Sequence, residues 1–233
     1  MLFCIHRFWQ RQQTFPAKFL SRKGCVFMTN TISTNNTMRS LSKTQMITLV
    51  GMFAAISTIL MFFGIQIPFM PPFLKFDLSG VPILIMGFIY GPLPAIYVTV
   101  IKDLIQMLSS HTGCVGELAD MIILSCFALV SSTIFRKKPS TKGVVLSVLA
   151  GSVTITIVGS LANKFMLIPF YSKIMPLEAI IDACNAVNPM IDSLDAYIIF
   201  GAAPFNLIKG LLLSVLTLLL YRKMAAFIHS RLS

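Results

Sequence analysis

The sequence predicts an all-α integral membrane protein: a six-transmembrane-helix bundle, both termini cytoplasmic, with a proline-rich outer lid loop between helices 1 and 2. Three observations carry that prediction. Of the 233 residues, 56% are hydrophobic and only 12% are charged, against about 45–50% and about 25% in soluble domains. Mean hydropathy is +0.82. The basic residues are concentrated in three segments that alternate with apolar blocks. High aliphatic content with ordinary Gly, Pro and Cys excludes a disordered, collagen-like or disulfide-rich secreted chain.

Hydrophobic blocks fall at 45–64, 80–92, 93–109, 117–135, 143–168 and 195–221, and a spanning helix needs about 20 apolar residues. In the first block Gly51 and Ala55 form a small-x-x-x-small pair, with Ala54 and Thr58 adjacent. Small residues one turn apart let another helix approach closely, either inside the bundle or on a partner protein. Residues 65–79 hold three prolines among bulky apolar residues. That is too proline-rich for a helix and too apolar for a solvated loop, so it reads as a loop folded back onto protein at the membrane surface. The second and third blocks are short and split only by Gly91-Pro92-Leu93-Pro94, which breaks a helix and fits a tight turn. Residues 1–40 lack a long apolar core and a cleavage site. They read as a cytoplasmic leader, disordered or a misassigned start, with Met28 and Met38 as alternative first residues. The membrane domain then covers 41–225, followed by a cytoplasmic tail, 226–233.

Charge placement orients the bundle. Seven Lys/Arg precede the first span, four lie at 136–142 and three in the C-terminal tail, fourteen of the nineteen in all. All eight acids, from Asp77 to Asp195, lie outside those segments. The positive-inside rule therefore places both termini in the cytoplasm, and the net charge of +11 reads as topology, not as a nucleic-acid surface.

The chain carries no P-loop, no G-x-S-x-G, no H-E-x-x-H and no C-x-x-C. Its five cysteines are scattered without metal-ligand spacing. Cys114 and Cys184 both fall on outer loops, where they are free to meet or to stay apart. His111 beside Cys114 does not amount to a metal site. No internal repeat suggests a transporter built from duplicated bundles.

Ionisable and amide side chains at membrane depth are costly and mark candidate sites. They are Lys102, Asp103, Glu117, Asp120, Asn163, Lys164, Asn206 and Lys209. With the assigned orientation all lie toward the outer ends of their spans, under the proline-rich loop that precedes Asp77. Lys102 and Asp103 either neutralise each other or serve a ligand. Glu117 and Asp120, one turn apart, cap a helix, face water or do acid–base work. Asn163, Asn206 and Lys209 form a donor-rich set suited to an imide or amide edge and hydroxyl groups. No nucleophile sits beside a base among them.

Four segments carry a resemblance: Phe69-Met70-Pro71-Pro72-Phe73-Leu74-Lys75-Phe76-Asp77, Gly116-Glu117-Leu118-Ala119-Asp120, Ser160-Leu161-Ala162-Asn163 and Pro204-Phe205-Asn206-Leu207-Ile208-Lys209-Gly210. Over residues 40–225 the chain resembles the riboflavin-specific S component of energy-coupling-factor (ECF) vitamin transporters. The resemblance implies a bacterial cell-membrane protein that captures riboflavin outside, with no catalysis and no cofactor of its own. Its partners would be a transmembrane T component and two ABC ATPase subunits, which supply the energy that a chain without a P-loop does not. It implies that Asn163, Asn206 and Lys209 contact the polar part of riboflavin, with Ala119, Ile123 and Glu117 around them on span four. Residues 65–76, including Phe73 and Leu74, would form the lid, and Gly51 and Ala55 would face the T component. Asp120 stands where the family commonly has Asn, which implies pairing with a nearby Lys instead of an amide contact. The alternatives are an S component for another vitamin, an intramembrane enzyme using Glu117 and Asp120, or a structural membrane subunit.

Overall fold

The computed structural model describes residues 42–66, 75–110, 113–137, 141–173, 176–186 and 189–232. Helix α1, Lys43–Phe62, opens on a capping box. The Gln45 amide N–H donates to Ser42 Oγ at 3.2 Å, and the Ser42 N–H donates to Gln45 Oε1 at 3.0 Å. Two otherwise unpaired donors of the first turn are satisfied in this way.

After α1, strand β1 (Ile65–Gln66) pairs antiparallel with β2 (Lys75–Phe76), Ile65 opposite Phe76 and Gln66 opposite Lys75. The base of the expected lid loop is thus a short ladder. It pairs backbone groups that an apolar surrounding would leave without water. The intervening residues, with Phe69, Phe73 and Leu74, lie outside the described residues, as does the leader, 1–40.

Helix α2, Gly80–Tyr90, and helix α3, Pro92–Met107, meet at Gly91, whose φ of +106° only glycine adopts without strain. Pro92 starts α3, where its missing N–H costs no helical hydrogen bond. The break therefore falls where the Gly-Pro-Leu-Pro run predicts it. Every residue of α2 from Gly80 to Ile89 is buried. An 11-residue helix is about 16 Å long at 1.5 Å per residue, well short of the hydrocarbon core.

Helix α4 spans Val115–Lys137. Helix α5, Thr141–Ala162, continues through a π-helical segment, Asn163–Leu167, into α6, Ile168–Tyr171. After α7, Leu177–Asn185, the last long rod comprises α8 (Leu194–Tyr197), a second π segment (Ile198–Ala202) and α9 (Ala203–Leu232). Helix continues past residue 225 to Leu232, through the segment expected as a separate tail. Among the described residues four helical stretches are long and apolar enough to cross a membrane: Lys43–Phe62, Val115–Lys137, Lys142–Tyr171 and Leu194–Tyr221.

A core of large apolar side chains is closed at places by glycines where two helices come close. A Cβ added at Gly210 on α9 would stand 2.5 Å from Ile155 Cγ2 and 3.0 Å from the Ser152 Cα of α5. Backbones approach this closely only where side chains are absent or small, and dispersion contacts then replace the hydrophobic drive that lipid removes. At the end of α2, Phe88 stacks on Phe135 with ring centroids 4.2 Å apart, and Arg136 Nη1 donates to the Tyr90 carbonyl at 3.0 Å.

On α1 the buried face is Leu49, Val50, Phe53, Ala54, Ser57 and Thr58. Gly51 and Ala55 lie on the opposite, exposed face beside Met52 and Ile56. Nothing comes within 4 Å of a Cβ built at Gly51. Of the two readings of this small pair, packing inside the bundle is not the one the fold adopts.

Gly210→Val is expected to lower the thermal unfolding midpoint in detergent, because overpacking costs about 1–3 kcal/mol. Gly51→Ala is expected to leave it unchanged or raise it slightly, since Ala gains helix propensity in open space. Equal midpoints for both variants would contradict the packing described.

Candidate binding site

Five ionisable side chains meet near the loop that precedes α2. Lys209 on α9 holds its Nζ 3.0 Å from Asp77 Oδ2 and 3.7 Å from Asp120 Oδ1. Lys102 on α3 holds its Nζ 2.5 Å from Asp120 Oδ2 and 2.8 Å from Asp103 Oδ1. Lys102 and Asp103 are fully buried, and Asp77 and Lys209 nearly so. Such charges persist in an apolar interior only when paired. Lys102 lies within ion-pair distance of Asp103, but the hydrogen bond its ammonium donates goes to Asp120 Oδ2. Asp120 pairs with lysine, as its departure from the family's Asn implies.

Asp77 is fixed from its other side as well. Its Oδ1 accepts from the Ser79 amide N–H at 2.9 Å and from the Ser79 hydroxyl. Burial pushes its carboxyl up, but the Lys209 and Lys102 ammonium groups and the Ser79 hydrogen bond outweigh burial and hold it well below the usual carboxylate range.

The two amides stand beside this cluster. Asn163 opens the first π segment; its Nδ2 donates to the Gly159 carbonyl at 2.8 Å, and its Oδ1 accepts from the Tyr197 hydroxyl at 3.4 Å. Asn206 Nδ2 donates at 2.8 Å to the carbonyl of Ala202, the last residue of the second π segment. Gly159 lies between them: a Cβ there would stand 2.7 Å from Asn206 Cγ. Single π turns inside α-helices are frequent at functional sites, and here one lies on each of the two rods that carry the amides.

Ala119 and Ile123 are buried on one face of α4. Glu117, also buried, accepts from Ser110 Oγ at 2.8 Å. Glu117 and Asp120 therefore turn to different partners. Lys164 does not join this cluster: its side chain is 40% exposed and pairs at 2.7 Å with Asp195, itself 75% exposed. Adjacent residues of a helix point in different directions, and here Asn163 is buried while Lys164 faces outward. Cys114 and Cys184 are both free thiols.

Sequence reasoning missed the Asp77–Lys209 pair as a pair, and it missed Tyr197 and Gly159. A glycine four residues before Asn163 is a usable signal, because it lies one turn beneath the amide. Nothing in the local sequence singles out Tyr197.

Lys102→Met strands the buried Asp103 carboxylate and leaves Asp120 only its longer contact with Lys209, and it is expected to cost about 3–5 kcal/mol of stability, as breaking buried pairs does. Lys164→Met is expected to cost about 0–1 kcal/mol, as for exposed pairs. Thermal unfolding in detergent distinguishes the two, and equal losses would contradict the burial of Lys102.

The sequence matches the family described as "ECF transporter, substrate-specific component" over residues 45–221. It is 35% identical to "Riboflavin transporter RibU" of Staphylococcus aureus, across 77% of this chain and 89% of that protein. It is 32% identical to "Riboflavin transporter FmnP" of Bacillus subtilis, across 82% and 97%. A solved structure described as "Structure and mechanism of the S component of a bacterial ECF transporter" superposes with a TM-score of 0.65 at 32% identity, covering 80% of this chain and 99% of that one. A membrane fold of this kind, matched along three-quarters of its length, places the chain in the family of substrate-specific (S) components of ECF transporters.

Proposed function

We propose that this protein is a high-affinity riboflavin-binding S component that captures the vitamin outside the bacterial cell membrane. The observation that carries the reading is the convergence of Asn163, Asn206 and Lys209 in a chain whose relatives are named riboflavin transporters. Riboflavin offers an imide edge, a flat apolar ring and a hydroxylated chain, and is neutral at pH 7. Two amides and an ammonium suit the polar parts, and the buried Ala119 and Ile123 suit the ring, as small-molecule sites are mostly apolar with few placed polar groups. Glu117 borders this site on α4, and the loop that includes Phe73 and Leu74 serves as its lid.

In this reading the chain crosses the membrane six times, with α2 and α3 as the short second and third spans and both termini in the cytoplasm. The Arg136–Lys142 loop supports that orientation, because it joins the ends of α4 and α5 remote from Asn163 and carries four basic residues. The exposed Gly51–Ala55 stripe of α1 is the docking face for a T component, which couples the chain to two ATPase subunits. The protein is not an enzyme in this account. An acid–base reaction using Glu117 and Asp120 needs both carboxylates on one substrate, and their separate partners disfavour it.

The detergent-purified chain is expected to quench the fluorescence of added riboflavin. Asn206→Ala and Lys209→Ala are each expected to weaken that binding about tenfold or more, since a polar group left unpaired in a dry site costs about 1–3 kcal/mol. Unchanged affinity in both variants would remove these residues from the site. Failure of the parent chain to bind riboflavin, with tight binding of another vitamin, would reassign the substrate.

A further inference from the structure

Along α5, Ile155 and Gly159 are followed by Asn163 at the start of the π segment, each about one helical turn from the next. Asn206 and Gly210 are spaced likewise on α9. At Gly210 a Cβ would meet Ile155 Cγ2 at 2.5 Å, so a glycine of α9 receives a side chain of α5. One turn away the roles reverse. The three atoms nearest to a Cβ at Gly159 would be Cγ, Oδ1 and Nδ2 of Asn206, at 2.7, 2.7 and 2.8 Å. The Asn206 carboxamide thus lies flat against the bare Cα of Gly159. The other amide is held by the same residue, because the Gly159 carbonyl accepts from Asn163 Nδ2 at 2.8 Å. All three residues are buried.

We infer that Gly159 is a positioning residue of the binding site: its missing side chain seats the Asn206 carboxamide, and its carbonyl fixes that of Asn163. The inference rests on the riboflavin reading above. Non-bonded carbon contacts are optimal at about 3.5–4.0 Å, so a methyl group at residue 159 has to displace its neighbour. The carboxamide is the end of a side chain with two rotatable bonds, while residue 159 belongs to a packed helix, and the carboxamide yields. Turning aside breaks the 2.8 Å hydrogen bond from Asn206 Nδ2 to the Ala202 carbonyl and re-aims both ends of the amide. The fold loses little, because alanine favours a helix more than glycine does. The carbonyl of residue 159 stays in place, so Asn163 keeps its partner. Gly151, two turns back along α5, offers a contrast. The nearest neighbours of a Cβ there would be Ser131 Oγ and the Phe127 ring of α4.

The test measures riboflavin dissociation constants by fluorescence quenching, and ligand-free thermal midpoints, on the full chain in detergent. Gly159→Ala is expected to raise the constant about tenfold or more, as the loss of a well-placed polar contact does. Gly151→Ala is expected to lower the midpoint by overpacking and to leave the constant within about threefold of the parent. In an Asn206→Ala background no carboxamide remains to be displaced. There, adding Gly159→Ala is expected to change the constant less than about twofold and to raise the midpoint. An unchanged constant in Gly159→Ala overturns the inference and leaves the riboflavin reading standing. So do equal losses of affinity in Gly159→Ala and Gly151→Ala, or the same loss with and without Asn206, since helix displacement would then be the cause. Should Asn206→Ala bind too weakly to titrate, the midpoints decide. The change caused by Gly159→Ala must be more favourable in that background than in the parent, and an equal change overturns the inference. A parent chain that binds no riboflavin overturns both readings.

Discussion

A lysine cannot sit charged inside an apolar helix bundle unless carboxylates meet it there, and the position of Lys209 between Asp77 and Asp120 answers that demand. The consequence reaches across the fold. Asp77 lies just ahead of α2, Lys209 on α9, Asp120 on α4, and Asp120 passes the linkage on to Lys102 on α3. One chain of ion pairs thus joins elements that are far apart in sequence, at the end of the bundle where Asn163 and Asn206 stand. The same pairing fixes the base of the β1–β2 loop, because Asp77 follows β2 directly.

Close helix approach makes this arrangement possible. Around Gly159 and Gly210, α5 and α9 come near enough that Asn206 rests on the surface of α5 and Asn163 donates to the carbonyl of Gly159. The π segments add one residue to the turns that carry or precede these amides. Each amide hydrogen-bonds back to its own helix through Nδ2. Binding would then exchange intramolecular hydrogen bonds for ligand bonds, a trade that favours ligands able to satisfy both donors and acceptors.

Much of this was legible in the sequence, for physical reasons that can be named. Long apolar runs match the bilayer's thickness, so the membrane class and most helix blocks are readable from composition and the order of apolar segments. The α2–α3 break was readable because Gly91 and Pro92 each restrict the backbone locally. The eight polar residues that the sequence reads as lying at membrane depth include most of the candidate site, because such residues are costly and rarely incidental. Partner choice was less accessible. Asp77 and Lys209 are 132 positions apart, and no local spacing pairs them. Adjacent Asn163 and Lys164 could not be separated into inward and outward residues, because helix rotation depends on neighbouring helices. The complete burial of α2 was hidden for a related reason. Its sequence has no polar face, and in a bilayer a lipid-facing apolar surface and a protein-facing one are written with the same residues.

The central claim is that the amides of Asn163 and Asn206 and the Lys209 ammonium form the ligand site. A structure of the protein crystallised with riboflavin tests it most directly. The account predicts polar flavin atoms within hydrogen-bond distance, about 2.7–3.2 Å, of Asn163, Asn206 and Lys209, with the ring against Ala119 and Ile123. A flavin bound elsewhere, with the Asn163, Asn206 and Lys209 contacts unchanged from those described, would contradict it.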